Sequence, residues 1–296
     1  MTVQAAVVIN PSKVLDLQER RRELCGALAD AGWPEPIWLE TTPEDPGCGM
    51  AREAAAAGAE VVLVCGGDGT VMAVAGELAG TDVAVALIPS GTGNLLATNL
   101  GIPLDVAEAV AVAITGERRR IDVGEVEGCG IFTVMAGMGF DAAMVGETPD
   151  SAKARFGWAA YVATGLRNLT RHRASVRIRL DGGQWMHRKA STVLVANVGR
   201  LQGGLPLLPD AAPDDGTLDV AVLTPRHLAD WVRLAAGVVL RRGSDTHGLE
   251  TFRARSVEVH AARDEPRELD GDVIAPARRL AARVRPGALV VCVPSS

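Results

Sequence analysis

The sequence has no hydrophobic run that approaches the roughly 20 residues a membrane-spanning helix needs. Residues 1–10 lack the basic start of a signal peptide and predict a strand, so we expect a cytoplasmic protein. The five cysteines are dispersed without a CxxC pair, which argues against a disulfide framework and a zinc site. The chain has fewer basic residues (30) than acidic ones (36), which gives a net charge of −6, so a nucleic-acid partner is not expected.

What the chain does contain is the composition of a folded globular protein. Hydrophobic residues make up 48% and charged residues 22%, which excludes a chain disordered throughout. At roughly 100–200 residues per domain, a length of 296 residues predicts two domains.

Strand-like and helix-like segments alternate over the first 120 residues. Residues 61–65 are consecutively apolar and mostly β-branched, which is typical of a strand buried on both faces. The alternation predicts a parallel sheet with helices on its faces. We predict strands over residues 5–9, 36–39, 61–65 and 83–88, and helices over 14–31, 50–57, 71–78, after residue 93, and from Asp105 to Gly116.

Short strand-like runs dominate after residue 120. They cover residues 121–126, 131–136, 175–180, 192–198, 218–223, 256–260 and 289–293, with helical segments near 152–171 and 227–242. We therefore predict a two-domain protein, with an α/β domain over residues 1–121 and an antiparallel β-sandwich domain over residues 122–296.

Glycine-rich turns follow two neighbouring predicted strands, where ligands bind at the carboxyl edge of an α/β sheet. The first turn reads GGDGT and the second PSGTGN, and neither GxxxxGKS/T nor GxGxxG occurs. Glycines let the backbone approach a phosphate closely and expose its N–H groups. An aspartate among phosphates is expected to hold Mg²⁺. The turn after the first strand, residues 10–13, would be a third loop at this edge.

These motifs closely resemble the diacylglycerol kinase catalytic domain, and more widely the bacterial lipid kinases related to diacylglycerol and sphingosine kinases. The resemblance continues in IDVG (residues 121–124), AGMGFD (136–141), DDGTLD (214–219) and LDGD (269–272), so it covers nearly the whole chain in the expected order. GGDGT alone is shared with NAD kinases, and the later motifs separate the two families.

The resemblance implies an ATP- and Mg²⁺-dependent kinase that phosphorylates the hydroxyl of diacylglycerol or a related lipid in the cleft between the domains. It implies that Asp272 is the catalytic base where relatives usually have Glu, with Asp270 as the fallback, and that Asp122 belongs to the active-site network. Asp68 would organise the catalytic Mg²⁺. The implied ATP-binding residues are Asn10, Pro11, Ser12, Thr41, Thr42, Gly66, Gly67, Asp68, Gly69, Thr70, Ser90, Gly91, Thr92, Gly93 and Asn94.

A structural Mg²⁺ site is also implied, formed by the Asp215 carboxylate and the backbone carbonyls of Ala212 and Thr217. A tight turn in which Asp215 caps backbone N–H groups explains the same residues equally well.

The chain departs from the family pattern at two further places. Many relatives have Asn-Glu where this chain has Met72-Ala73, and Asp where it has Leu95. Two alternatives therefore stay open: an NAD- or sugar-kinase-like enzyme on a soluble acceptor, and a catalytically weakened nucleotide- or lipid-binding regulatory protein.

A lipid acceptor must be reached at a membrane surface. Residues 151–180 contain seven basic and no acidic residues around several aromatic ones, which predicts peripheral contact with anionic lipid on the inner face of the membrane. A surface helix packed on the sandwich would show the same spacing. An edge strand of the sandwich could pair with a second copy of the chain, so a homodimer is left open.

Overall fold

The computed structural model describes residues 3–139, 173–200, 206–225 and 248–295, together with residues 227, 229, 230 and 233. The helix predicted near residues 152–171 lies outside these ranges, and the one near 227–242 lies almost wholly outside them. Within the described residues, no helix is both long and apolar enough to cross a membrane.

The first part of the chain is a parallel sheet flanked by helices. Its elements are β1 (Ala5–Ile9), a 3-10 helix (Pro11–Lys13), α1 (Leu17–Asp30), β2 (Ile37–Glu40), α2 (Cys48–Ala56), β3 (Val61–Gly66), α3 (Asp68–Leu78), β4 (Ala84–Pro89), α4 (Leu95–Asn99) and α5 (Val106–Thr115). The strands lie in the order β2-β1-β3-β4, each parallel to its neighbour.

Local chemistry explains these elements. Every residue of β1 and β3 is buried, as expected for strands covered by helices on both faces. Helix α1 begins where the Asp16 side chain accepts a hydrogen bond from Glu19 N at 2.9 Å. Helix α5 begins in the same way, with Asp105 accepting from Glu108 N at 3.0 Å.

The second part of the chain is antiparallel. Its strands are β5 (Glu117–Val126), β6 (Gly130–Phe132), β7 (Met135–Met138), β8 (Ala174–Leu180), β9 (Met186–Ala190), β10 (Thr192–Ala196), β11 (Leu218–Leu223), β12 (Leu249–Ala254), β13 (Ser256–Leu269) and β14 (Asp272–Val293). They run in the order β12-β11-β10-β7-β13-β14, with β8 and β9 extending from β13 and β5 and β6 from β14. Their inner faces enclose a second apolar cluster that includes Phe132, Met138, Ile178 and Leu280.

Strand β14 connects the two parts. Its end returns to the parallel sheet, where Val290 and Val291 pair with Ala84 and Val85 of β4. The described strands therefore form one continuous mixed sheet. The two-domain fold class is confirmed, with the last strand contributing to both parts. The boundary predicted near residue 121 falls within β5 and stays a prediction.

Candidate active site

The first glycine-rich turn lies where β3 passes into α3. Gly67 precedes the helix in an extended conformation, and Asp68 occupies its first position. A Cβ on Gly66 would lie 2.6 Å from the Cβ of Thr70, so this turn has no room for a larger residue. The unpaired N–H groups at the start of an α-helix attract anions, which suits a phosphate.

The second glycine-rich turn follows β4 and crosses the first one closely. A Cβ on Gly91 would lie 2.7 Å from the Cα of Gly67, so the crossing requires glycine. The Asn94 side chain braces the turn: it accepts from Gly91 N at 3.1 Å and donates to Gly91 O at 2.9 Å. Ser90 N donates to Gly66 O at 3.3 Å. Thr92 is exposed between them, with Gly93 beside it.

Asp68 joins the two turns. Its Oδ2 accepts from Asn94 N at 3.1 Å, and its Oδ1 accepts from Leu95 N at 2.7 Å. Leu95 serves this contact through its backbone, so an apolar side chain is compatible with it. Each oxygen of the Asp68 carboxylate keeps a further lone pair, and hard oxygen donors suit Mg²⁺. The Asp68 carboxylate is therefore chemically suited to bind a metal ion.

The end of β1 contributes the third loop. The Asn10 side chain donates to Thr70 Oγ1 at 3.4 Å and accepts from Ser12 N at 3.0 Å, which connects this loop to the first turn. Pro11 opens the short helix that continues to Lys13. The Cε of Lys13 lies 3.9 Å from where a Cβ on Gly67 would be, so this cation, to which the sequence assigned no role, lies beside the first turn.

Two threonines follow β2, and the buried one, Thr41, lies closer to the loop at the end of β1. Thr41 N donates to Ile9 O at 2.9 Å, which places Thr41 at the end of β1. Thr42 is exposed, and its hydroxyl accepts from Asp45 N at 3.1 Å.

Asp272 reaches the first turn from the other end of the chain. Asp270 and Gly271 have φ angles of 49° and 93° and form the two-residue turn between β13 and β14. This hairpin places Asp272 Oδ2 3.5 Å from where a Cβ on Gly69 would be. Burial and the negative charge of Asp68 raise the pKa of Asp272 above its ordinary value. Two carboxylates distant in sequence therefore meet at the start of α3.

Asp270, the fallback base, is buried inside the fold instead. Its carboxylate accepts four hydrogen bonds of 2.7–2.9 Å from Thr133 N, Thr133 Oγ1, Val134 N and Met135 N. Burial raises the pKa of Asp270, and these donors act in the opposite direction. The arrangement makes Asp270 an anchor of the hairpin that carries Asp272.

Asp122 is a second buried anchor. Its carboxylate oxygens accept from Gly216 N at 2.6 Å and from Gly287 N at 2.7 Å. These bonds connect Asp122 to β14 and to the turn of the predicted structural metal site, rather than to the glycine-rich turns. A direct catalytic role for Asp122 stays a prediction.

In the predicted structural metal site, Asp215 Oδ1 accepts from Thr217 N at 2.9 Å and from Thr217 Oγ1 at 2.7 Å. This contact is the turn-capping alternative, and Arg253 Nη1 lies 3.9 Å from Asp215 Oδ2. Ala212 is half-buried just before the turn. No cluster of three or more metal-binding side chains occurs in the part of the chain described. The Mg²⁺ site, which would use backbone carbonyls, stays a prediction.

The other residues singled out in the sequence lie outside the glycine-rich turns or outside the described residues. Met72 packs against the apolar cluster of the sandwich, and Ala73 is buried, so the two residues that replace Asn-Glu serve packing. Phe140 and Asp141 lie outside the described residues, as does the basic segment up to residue 172. Its last part is strand β8, whose Arg177 and Arg179 lie 5.3 and 4.7 Å from the ring of Trp185.

Family models match both parts of the chain. The diacylglycerol kinase catalytic domain matches residues 4–126, and the YegS C-terminal NAD kinase beta sandwich-like domain matches residues 133–293. A probable lipid kinase YegS-like of Pseudomonas aeruginosa is 36% identical over 252 residues, covering 83% of this chain and 80% of that protein. A probable lipid kinase YegS-like of Pseudomonas fluorescens is 32% identical over 288 residues, covering 94% and 92%.

Solved structures show the same fold. A putative diacylglycerol kinase from Bacillus anthracis matches with a TM-score of 0.82 at 23% identity, covering 98% of this chain and 95% of that one. An NAD kinase from Archaeoglobus fulgidus in complex with ATP matches more distantly, with a TM-score of 0.52 at 12% identity over 98% and 93%. The chain belongs to the YegS-like family of lipid kinases, which combines a diacylglycerol kinase catalytic domain with an NAD kinase-like β-sandwich domain.

Proposed function

We propose that this protein transfers the γ-phosphate of ATP, with Mg²⁺, to the hydroxyl of a lipid, and that diacylglycerol is the first acceptor to test. The observation that carries the proposal is the position of Asp272 beside Gly69, in the electrostatic reach of Asp68. A carboxyl group available as a base thus lies next to a turn suited to phosphate, as phosphoryl transfer to an alcohol requires.

Each residue has a defined task in this proposal. The crossing of Gly67 and Gly91 lets backbone N–H groups approach the phosphates, and Lys13 adds a positive charge beside them. Mg²⁺ held at Asp68 would supply neutralisation of the phosphate charge. Asp272 orients the acceptor hydroxyl and takes up its proton. The raised pKa of Asp272 brings this carboxyl closer to the pH at which it has to work as a base.

The acceptor would be met at a membrane surface. We keep residues 151–180 as the proposed contact with anionic lipid on the inner face of the membrane, since their sequence pairs basic with aromatic side chains.

The test is transfer of labelled γ-phosphate from ATP to lipids in detergent mixed micelles. Asp272→Asn removes the proton acceptor with little change of shape, so we expect kcat to fall by about 10²–10⁴-fold while ATP affinity is kept. Asp272→Glu should retain measurable turnover. Asp264→Asn is the matched control, because Asp264 is an exposed aspartate on the neighbouring strand that pairs with Arg278 at 3.4 Å.

Absence of any labelled lipid would contradict the proposal. Transfer to a soluble acceptor would then favour the NAD- or sugar-kinase-like alternative. ATP binding without transfer to any acceptor would favour the regulatory protein, for which Met72, Leu95 and Asp272 are the motivating departures.

A further inference from the structure

Helix α4 directly follows the second glycine-rich turn and is hydrogen-bonded to the sandwich. Its last residue, Asn99, donates from Nδ2 to Arg200 O at 3.0 Å and accepts at Oδ1 from Arg200 N at 2.9 Å. Arg200 belongs to the loop that leaves β10, 101 positions further along the chain. The side-chain amide of Asn99 therefore holds the backbone of a sandwich loop at two atoms.

The other end of α4 is fixed to Asp68. Leu95, the first residue of the helix, donates its N–H to Asp68 Oδ1 at 2.7 Å. The carbonyl of Leu95 accepts from Asn99 Nδ2 at 2.9 Å. The helix has five residues, so these bonds span it from end to end. Any shift of the sandwich loop relative to the first glycine-rich turn therefore has to strain a bond of Asn99 or the bond to Asp68.

Apolar packing also holds α4 against the sandwich. Leu96 is 2% exposed and belongs to the same apolar cluster as Val198, beyond the end of β10, and Leu208. Leu208 N donates to Gly199 O at 3.1 Å, and Gly199 lies so close to this segment that it has no room for a Cβ. The backbone that Asn99 binds at Arg200 is thus fixed on its own side of the contact.

From this loop, hydrogen bonds continue to the hairpin that carries the proposed base. Asn197, the residue after β10, is 1% exposed and donates from Nδ2 to Thr133 O at 3.1 Å. Thr133 in turn donates from its N and Oγ1 to Asp270 at 2.7 and 2.8 Å. Asp270 opens the turn that presents Asp272. The two carboxylates that meet at the start of α3 are therefore also connected through Asn99 and the sandwich.

We propose that Asn99 is a positioning residue for phosphoryl transfer: it fixes the sandwich loop at Arg200 to the helix held by Asp68, and so keeps the acceptor side aligned with the nucleotide loops. This inference rests on the proposed lipid kinase function and deepens it. An asparagine suits the task because its amide offers two donor hydrogens, used by Leu95 O and Arg200 O, and an acceptor oxygen, used by Arg200 N.

The experiment measures phosphate transfer to 1,2-dioleoylglycerol in mixed micelles and ATP affinity by titration calorimetry. Asn99→Ala removes all three bonds. We expect kcat to fall about ten-fold, because misplacement of reacting groups by about 1 Å can cost about 10²-fold. The Kd for ATP and the KM for dioleoylglycerol should stay within about two-fold of wild type, because neither binding surface is changed.

Asn99→Asp is the conservative variant. It keeps an oxygen for Arg200 N but loses both donors, so its kcat should lie between those of Asn99→Ala and wild type. The side chain keeps its shape, so this result remains readable if Asn99→Ala proves unstable in thermal unfolding.

Thr115→Ala is the matched control. Thr115 is the last residue of α5, and its Oγ1 donates to Ala111 O at 2.8 Å, four residues earlier, as Asn99 donates to Leu95 O. That bond stays within a single helix, so its loss should leave kcat within about two-fold of wild type.

Four results would overturn the inference. Wild-type kcat in both Asn99 variants, with labelled lipid formed, would contradict it and leave the lipid kinase function standing. Loss of ATP affinity in proportion to the loss of turnover would assign Asn99 to the nucleotide loops alone. An equal loss of kcat in Thr115→Ala would reduce the effect to helix stability. Wild-type protein that labels neither dioleoylglycerol nor any other lipid tried would refute the proposed function and this inference with it.

Discussion

Replacing Asp270 by asparagine tests whether this carboxylate anchors the hairpin or acts as the base. Asp270 has a φ of 49°, a left-handed conformation that asparagine also tolerates, so the turn itself should persist. The side chain keeps its shape. What changes is that one acceptor oxygen becomes an NH₂ donor facing other donors.

The magnitude follows from the four hydrogen bonds to Asp270. The asparagine oxygen can keep the pair from Val134 and Met135, weakened by loss of charge, at a cost of about 1 kcal/mol each. The Thr133 hydroxyl can rotate to accept, but Thr133 N is left unpaired in the interior, which costs about 1–3 kcal/mol. Relief of the buried charge, which raises the pKa of Asp270, offsets part of this. We expect a net loss of about 2–3 kcal/mol in the free energy of unfolding.

Thermal unfolding is the assay. For chains of 150–250 residues, about 1 kcal/mol corresponds to roughly 2–4 °C, so Tm should fall by roughly 4–12 °C. Turnover measured well below Tm should stay within a few-fold of wild type. The exposed Asp264→Asn variant should change stability by no more than about 0.5 kcal/mol. Wild-type stability combined with lost turnover would refute the reasoning and make Asp270 a catalytic group.

Three further predictions concern the nucleotide loops and the base. Gly91→Ala should weaken ATP binding at least about ten-fold in titration calorimetry, because its Cβ would lie 2.7 Å from the Cα of Gly67; unchanged affinity would place the nucleotide elsewhere. Lys13→Met should raise the KM for ATP about ten-fold without changing that for the acceptor, and an equal effect on both would argue against phosphate contact. The acid limb of the kcat profile should lie above the ordinary aspartate pKa of about 3.9, because turnover is lost as the pH falls through the raised pKa of Asp272; a limb at or below that value would contradict the assignment.

The parallel half of the fold could be predicted because its strands are buried on both faces. Such strands are uninterrupted apolar runs, as in β1 and β3, and their bounds matched the prediction closely. The hairpin of β13 and β14 could be predicted only in fragments. Much of it is exposed and charged, and it is stabilised across the strands by pairs such as Arg278 with Asp264. The parallel pairing of β14 with β4 joins distant segments, and no local pattern indicates it.

The glycine-rich turns could likewise be predicted, because their glycines directly follow predicted strands in the sequence. The anchoring contacts of Asp122 and Asp270 could not, since their hydrogen-bond partners lie 94 to 165 and 135 to 137 residues away along the chain. The burial of Glu268 on β13, where it is 6% exposed, could not be predicted from the sequence either. An acid between Arg267 and Leu269 has the pattern of a solvated strand face, and only the absence of a side chain at Gly137 makes room for it.

The hydrogen bonds of the four aspartates explain why Asp272 alone suits the role of base. Asp68, Asp122 and Asp270 each accept hydrogen bonds from backbone N–H groups at their carboxylate oxygens. Asp272 has no such donor among the described residues; burial and the charge of Asp68 are the influences on it. Burial and the charge of Asp68 together raise the pKa of Asp272 and thus its affinity for a proton. One carboxylate holds the two loops together, and its charge prepares the other to receive the proton of an acceptor hydroxyl.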